Sequence, residues 1–121
     1  MATIVAALFH LVTFVMESVL WTRPAVWRRF GLRSQADADT IKLMALNQGF
    51  YNLFLALGAV AGIVTVGLGH RTVGVTLIAF ATACMLGAGL VLAGTGGRPL
   101  LRAAVLQAGP PVVALIGLAV A

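Results

Sequence analysis

One carboxylate sits inside an apolar stretch of this chain. Glu17 lies within residues 2–21, and His10 precedes it by seven positions. A second stretch, Asn47-Gln48-Gly49-Phe50-Tyr51-Asn52, sets three amides and a phenol into a segment otherwise as apolar as a bilayer interior. In hydrocarbon such groups are costly unless partnered. A carboxylate and an imidazole aligned with amides are the components of a proton relay, or of a site for a polar ligand group. The plainer reading of the amides and of His10 is hydrogen-bond glue between helices. An intramembrane carboxylate is a functional hypothesis in its own right, so Glu17 heads the candidate ligand-binding or proton-linked set of Glu17, His10, Asn47, Gln48, Tyr51 and Asn52. Trp21 and Gln107 are additional candidates at its edge.

The elements that must position these residues are apolar helices. Residues 2–21 are long enough to cross the hydrocarbon core, with Trp21 closing the span at the interface. Pro24 ends that helix, and residues 24–31 read either as a short interfacial helix or as an ordered basic loop. In the helical version Val26, Trp27 and Phe30 face lipid, while Arg28 and Arg29 face headgroups. Ser34 and Asp37 make a capping-box pattern with Asp in place of Glu or Gln. The second span covers about 41–68, with its first turns outside the membrane. The third covers about 72–93, after the turn Gly67–Arg71, and the fourth about 100–120, after a loop over 94–99. Pro110-Pro111 are expected to kink or break the fourth span. The fold class is therefore all-α, a polytopic membrane protein. It is a single domain of four transmembrane helices, with a short interfacial segment after the first.

Counting rise along the helices places the polar groups in two layers. Glu17 lies about 6 Å inward from Trp21, and Asn47 roughly 9 Å inward from Ile41. These helices run antiparallel from the same side, so Glu17 is expected to bond Asn47 or Gln48. Gln107 falls in the same layer. His10 and Asn52, each eleven residues in, share a deeper layer with Tyr51 beside them. His10 and Glu17 are about 10.5 Å apart along the axis and cannot bond directly. A line from Glu17 through Asn47 and Gln48, a water, then Tyr51 and Asn52 would link them.

Composition supports the membrane reading. Of 121 residues 61% are hydrophobic and 9% charged, too little charge to cover a soluble domain of this size. The net charge of +5 would suggest nucleic acid in a soluble protein, but here topology and anionic lipid account for it. Arg23, Arg28, Arg29, Arg33, Lys42, Arg98 and Arg102 fall on one side and only Arg71 on the other, so both termini are expected outside the cytoplasm. The first segment lacks a basic leader and a small-residue cleavage site, and reads as a retained helix. Small residues recur at packing spacing: Gly58 and Gly62, Ala83 and Gly87, Gly89 and Ala93, Gly117 and Ala121. They serve packing within one chain or a homodimer, toward which the third and fourth spans lean. Cys84 is the single cysteine and reads as a small packing residue, and Met16, Met44 and Met85 as apolar filler. A copper site from His10, Met16 and Cys84 is the weaker reading. No nucleotide loop, catalytic triad, HExxH or CxxC motif is present. The residues therefore name no cofactor, metal or catalytic residue.

Glu17 with Trp21, followed by NQGFYNLFLALG over 47–58, resembles an uncharacterised family of small integral membrane proteins of about 120 residues and four helices, one of the domain-of-unknown-function families. The resemblance spans the whole chain, with the NQGxYN stretch as its specific part. It implies the fold class and no activity; Glu17, Trp21, Asn47, Gln48, Tyr51 and Asn52 are the positions it marks. The small multidrug transporters share the four-helix size and a glutamate in the first helix, an analogy of architecture alone. Three functions are consistent with these residues. The first is binding or transport of a small molecule, proton-linked through Glu17. The second is a membrane-embedded enzyme on a lipid or quinone-like substrate, with Glu17 and His10 as acid and base. The third is an accessory subunit whose polar motif locks the bundle.

Overall fold

A computed structural model describes residues 1–120. All regular structure among them is helical. Helix α1 (Ala2–Phe14) continues into one π-helical turn, Val15–Val19. A basic-side segment follows, built from α2 (Pro24–Trp27), a 3-10 turn (Arg28–Phe30) and α3 (Gln35–Thr40). Three long helices complete the chain: α4 (Lys42–Gly67), α5 (Arg71–Thr95) and α6 (Gly97–Ala119). Together with Ala2–Val19, these are four helices long and apolar enough to cross a membrane. The protein is an integral membrane four-helix bundle. Each span packs on its neighbour in sequence, and α1 also packs on α6, which closes the ring.

Glycines set how closely the spans approach. A Cβ on Gly62 would lie 2.8 Å from the Gly74 carbonyl oxygen, and one on Gly74 would lie 2.7 Å from that of Gly62. The backbones of α4 and α5 therefore touch at this crossing, which only glycine allows. Gly89 meets Ala108 in the same manner on α5 and α6, at 2.9 Å from the alanine Cβ. These small-residue positions thus pack within the chain. Gly87 and Gly117 meet nothing within 4 Å, and Ala121, the other half of the last pair, lies outside the described residues. The core between the spans is correspondingly fine-grained: Ala6, Ala7, Ala56, Ala59 and Ala81 around a fully buried Met85.

The basic-side segment differs from its expected form. Val26 and Trp27 are buried and do not face lipid. Trp27 folds back with Trp21, Ala38 and Ala45, and Phe30, Leu32 and Ile41 pack against that cluster. Trp21 is likewise buried; its indole N–H donates to the Ala38 carbonyl at 2.9 Å, and the Trp27 indole donates to Gln35 Oε1 at 3.1 Å. Both indole N–H groups are thus bonded inside the protein, as buried tryptophans generally require. Arg28 sits over the Trp27 ring at 5.3 Å. Ser34 caps α3 by accepting from the Asp37 N–H at 3.1 Å, one arm of the expected box. Ile41 (φ −102°, ψ 9°) then separates α3 from α4, so the turns preceding the second span form a helix of their own.

Two other expectations change. The loop expected over 94–99 shrinks to the single residue Gly96 between α5 and α6, with Gly97 at φ +68° making the reversal. Pro99 lies in the first turn of α6, where its missing N–H has no intrahelical bond to lose. The second concerns the kink or break expected in the fourth span: Pro110 and Pro111 do not break α6. Gly109 precedes Pro110 and carries no Cβ to meet its ring.

Candidate functional site

Asn52 is the centre of the polar cluster. Its Nδ2 donates to Glu17 Oε2 at 2.8 Å and to the backbone carbonyl of Gln48 at 3.1 Å. That carbonyl can only accept, so the amide orientation is set: nitrogen toward Gln48 and Glu17, oxygen toward His10. His10 Nδ1 lies 2.6 Å from Asn52 Oδ1 and must therefore carry the proton and donate. Its Nε2 is buried without a partner among the described residues, a lone-pair acceptor in the neutral ring. One side chain thus ties α1, the π turn and α4 together.

The partner of Glu17 is Asn52, not Asn47 or Gln48 as the depth count suggested. Side chains on a helix lean toward its N-terminus. Glu17 leans inward along the first span, and Asn52, on the antiparallel α4, leans back toward the basic side. The two directions close a gap that backbone depths leave open. The deeper pairing of His10 with Asn52 does follow the depth count, because both sit eleven residues in. No water is needed between Glu17 and His10. The bridge is an amide, however, which holds both groups in place and does not itself pass a proton along as a chain of hydroxyls would.

The π turn presents Glu17 to α4. Its i+5 bond runs from the Leu20 N–H to the Val15 carbonyl at 2.9 Å, adding one residue to that turn. Ser18 Oγ donates to the Leu46 carbonyl at 3.0 Å, which fastens the turn to α4. Gly49 makes this approach feasible: a Cβ there would overlap Ser18 Oγ and come within 3.1 Å of Glu17 Cβ. The glycine of the NQGFYN stretch is thereby explained by close approach.

The other sequence candidates separate by helix face. On α4 the buried face is Ala45, Gly49, Asn52, Ala56, Ala59 and Gly62. Asn47 and Tyr51 lie on the outer face and make no hydrogen bond among the described residues; Tyr51 is 57% exposed. Gln48 and Gln107 line a cavity that also reaches Glu17 and Asn52. Trp21 belongs to the basic-side cluster and lines a different cavity, which Glu17 also touches.

Glu17 therefore stands on the walls of two cavities. One, of about 540 Å³, opens on the basic side among Ser18, Thr22, Asp39, Thr40 and Lys42. The other, of about 650 Å³, lies between the spans and is largely apolar, with Phe9, Val12, Met16, Leu92 and Leu106 on its walls. It falls within the size range of small-molecule sites. Arg29 and Phe30, at the end of the 3-10 turn, also line it. Sequence reasoning had not foreseen the parts of Arg29, Met16 and Thr13 in this wall. The heptad-like spacing of Phe9, Thr13 and Met16 is the only signal that could have grouped the α1 residues. Among the described residues no cluster of three or more His, Cys, Asp or Glu could hold a metal ion.

No curated protein and no solved structure matches this chain. Residues 4–119, nearly its whole length, match the family described as "Protein of unknown function (DUF1304)", and the chain belongs to that family.

Proposed function

We propose that this protein binds a small amphiphilic molecule from the surrounding membrane in the cavity between the spans, and that Glu17 exchanges a proton as the molecule enters or leaves. The observation that carries this reading is the place of Glu17 between a largely apolar cavity and one with more polar walls. The first suits the body of an amphiphile, and the second gives the carboxyl a path to water. Asn52 holds one carboxylate oxygen and leaves further lone pairs for a ligand. An acid–base enzyme using Glu17 with His10 has less support, because His10 lines neither cavity and its Nδ1–H is spent on Asn52.

Carbodiimide labelling tests the access. A water-soluble carbodiimide and a hydrophobic one are both expected to modify Glu17, read from the mass of its peptide, and dodecyl amphiphiles are expected to slow the hydrophobic reagent. Glu17→Gln should leave a correctly inserted protein without that label, since an amide can still accept from Asn52. A Glu17 inert to both reagents in the folded protein would sink the proposal.

The same proposal places the basic side in the cytoplasm and both termini outside it, on the strength of seven basic residues against one. Reporter domains fused to either end should then be active only where they report an exported location. Cytoplasmic signals from both ends would reverse the orientation.

A further inference from the structure

The fourth span carries a feature that bears on what the cavity takes. In an α-helix each carbonyl accepts from the N–H four residues on. Pro110 and Pro111 have no N–H, yet α6 continues through them. The carbonyls of Leu106 and Gln107 are therefore left without their helical donors. Both residues line the cavity between the spans, and the two hydroxyls on its wall donate elsewhere, Thr13 to the Phe9 carbonyl at 3.0 Å and Thr95 to the Val91 carbonyl at 2.8 Å. Freed backbone groups inside a membrane are costly unless something supplies the missing bond.

We propose that the occupant of this cavity is an amphiphile with a hydrogen-bond-donating, cationic head of the alkylammonium class, accepted by the Leu106 and Gln107 carbonyls and by Glu17. The proposal rests on the amphiphile reading above and names its ligand class. The residues that line the cavity carry two freed carbonyls and a carboxylate with one oxygen bonded to Asn52. The amides of Gln48 and Gln107 can turn either way and favour neither sign. Arg29 is the one cation on the wall and would favour an anionic head. It is exposed at the basic end of the bundle, where its charge is better screened, whereas Glu17 is buried and acts through a lower dielectric. The apolar walls take the alkyl chain.

The full chain in phosphatidylcholine nanodiscs can be titrated with radiolabelled dodecylamine and, separately, dodecanoate, with protein-free nanodiscs giving the partition background. The expected result is saturable binding of the amine, tighter than that of the carboxylate by about fivefold or more, the scale of one net hydrogen bond. Pro110→Ala with Pro111→Ala returns an N–H to each carbonyl and favours the helix, so the fold is retained. It should weaken the amine by about fivefold and leave the carboxylate unchanged. Glu17→Gln should weaken the amine as well. Preference for dodecanoate overturns the ligand class while the amphiphile reading stands. Amine binding untouched by the proline replacements overturns the carbonyl acceptors. Absence of saturable binding by either probe overturns the ligand class and the amphiphile reading together.

Discussion

Asn52→Leu is expected to destabilise the bundle by roughly 2–6 kcal/mol, because it orphans two groups at once at about 1–3 kcal/mol each. His10 Nδ1–H loses its acceptor and Glu17 Oε2 loses its donor. Interhelical hydrogen bonds in membranes average only about 0.6 kcal/mol, since the unfolded chain in the bilayer finds other partners. The larger figure applies here because His10 is fully buried and already carries one unpartnered nitrogen. The measurement is denaturant unfolding in mild detergent, followed through Trp21 and Trp27. The orphan argument has a sharp corollary. Combining His10→Leu with Asn52→Leu removes donor and acceptor together, so the double variant should be more stable than Asn52→Leu alone. Costs that simply add would show that packing, and not hydrogen bonding, gives Asn52 its weight. Carbodiimide reactivity of Glu17 should rise in Asn52→Leu, because nothing then holds the carboxyl.

The second large effect lies at the crossing of α4 and α5. Gly62→Ala should destabilise by about 1–3 kcal/mol, the usual range for overpacking, and toward its upper end. The added methyl would lie 2.8 Å from the Gly74 carbonyl oxygen and 2.9 Å from the Ile78 nitrogen. Those are backbone atoms, so the helices must separate. Lipid-embedded helices associate through close packing and not through a hydrophobic force, which leaves little to offset the loss. Gly58→Ala, one turn earlier on the same helix, is the control. Its methyl would meet only Ala81 Cβ at 3.7 Å, an ordinary contact. Alanine also favours a helix over glycine by up to about 1 kcal/mol, so Gly58→Ala should be neutral or stabilising. Equal unfolding midpoints for the two variants would contradict the crossing geometry.

Much of the architecture follows from order along the chain. Four apolar stretches of sufficient length, separated by Gly, Pro and Arg, determine four spans, because hydrocarbon thickness selects for length and composition alone. Ser34 announces the start of α3 by its own chemistry. The sequence also determines that Glu17, His10 and Asn52 must find partners, since the cost of leaving them unpaired depends on residue type and depth. What sequence order does not carry is rotation about each helix axis and the lean of each side chain. Those decided that Asn52 bonds both Glu17 and His10, while Asn47 and Tyr51, in the same motif, turn outward. The π turn at Val15–Val19 adds a residue that no periodicity in the sequence marks. The fold-back of Trp21 and Trp27 onto Ala38 depends likewise on neighbours distant in sequence. The tertiary structure alone placed Glu17 between a more polar cavity and a largely apolar one, because a cavity is a property of several helices packed together and of no single one.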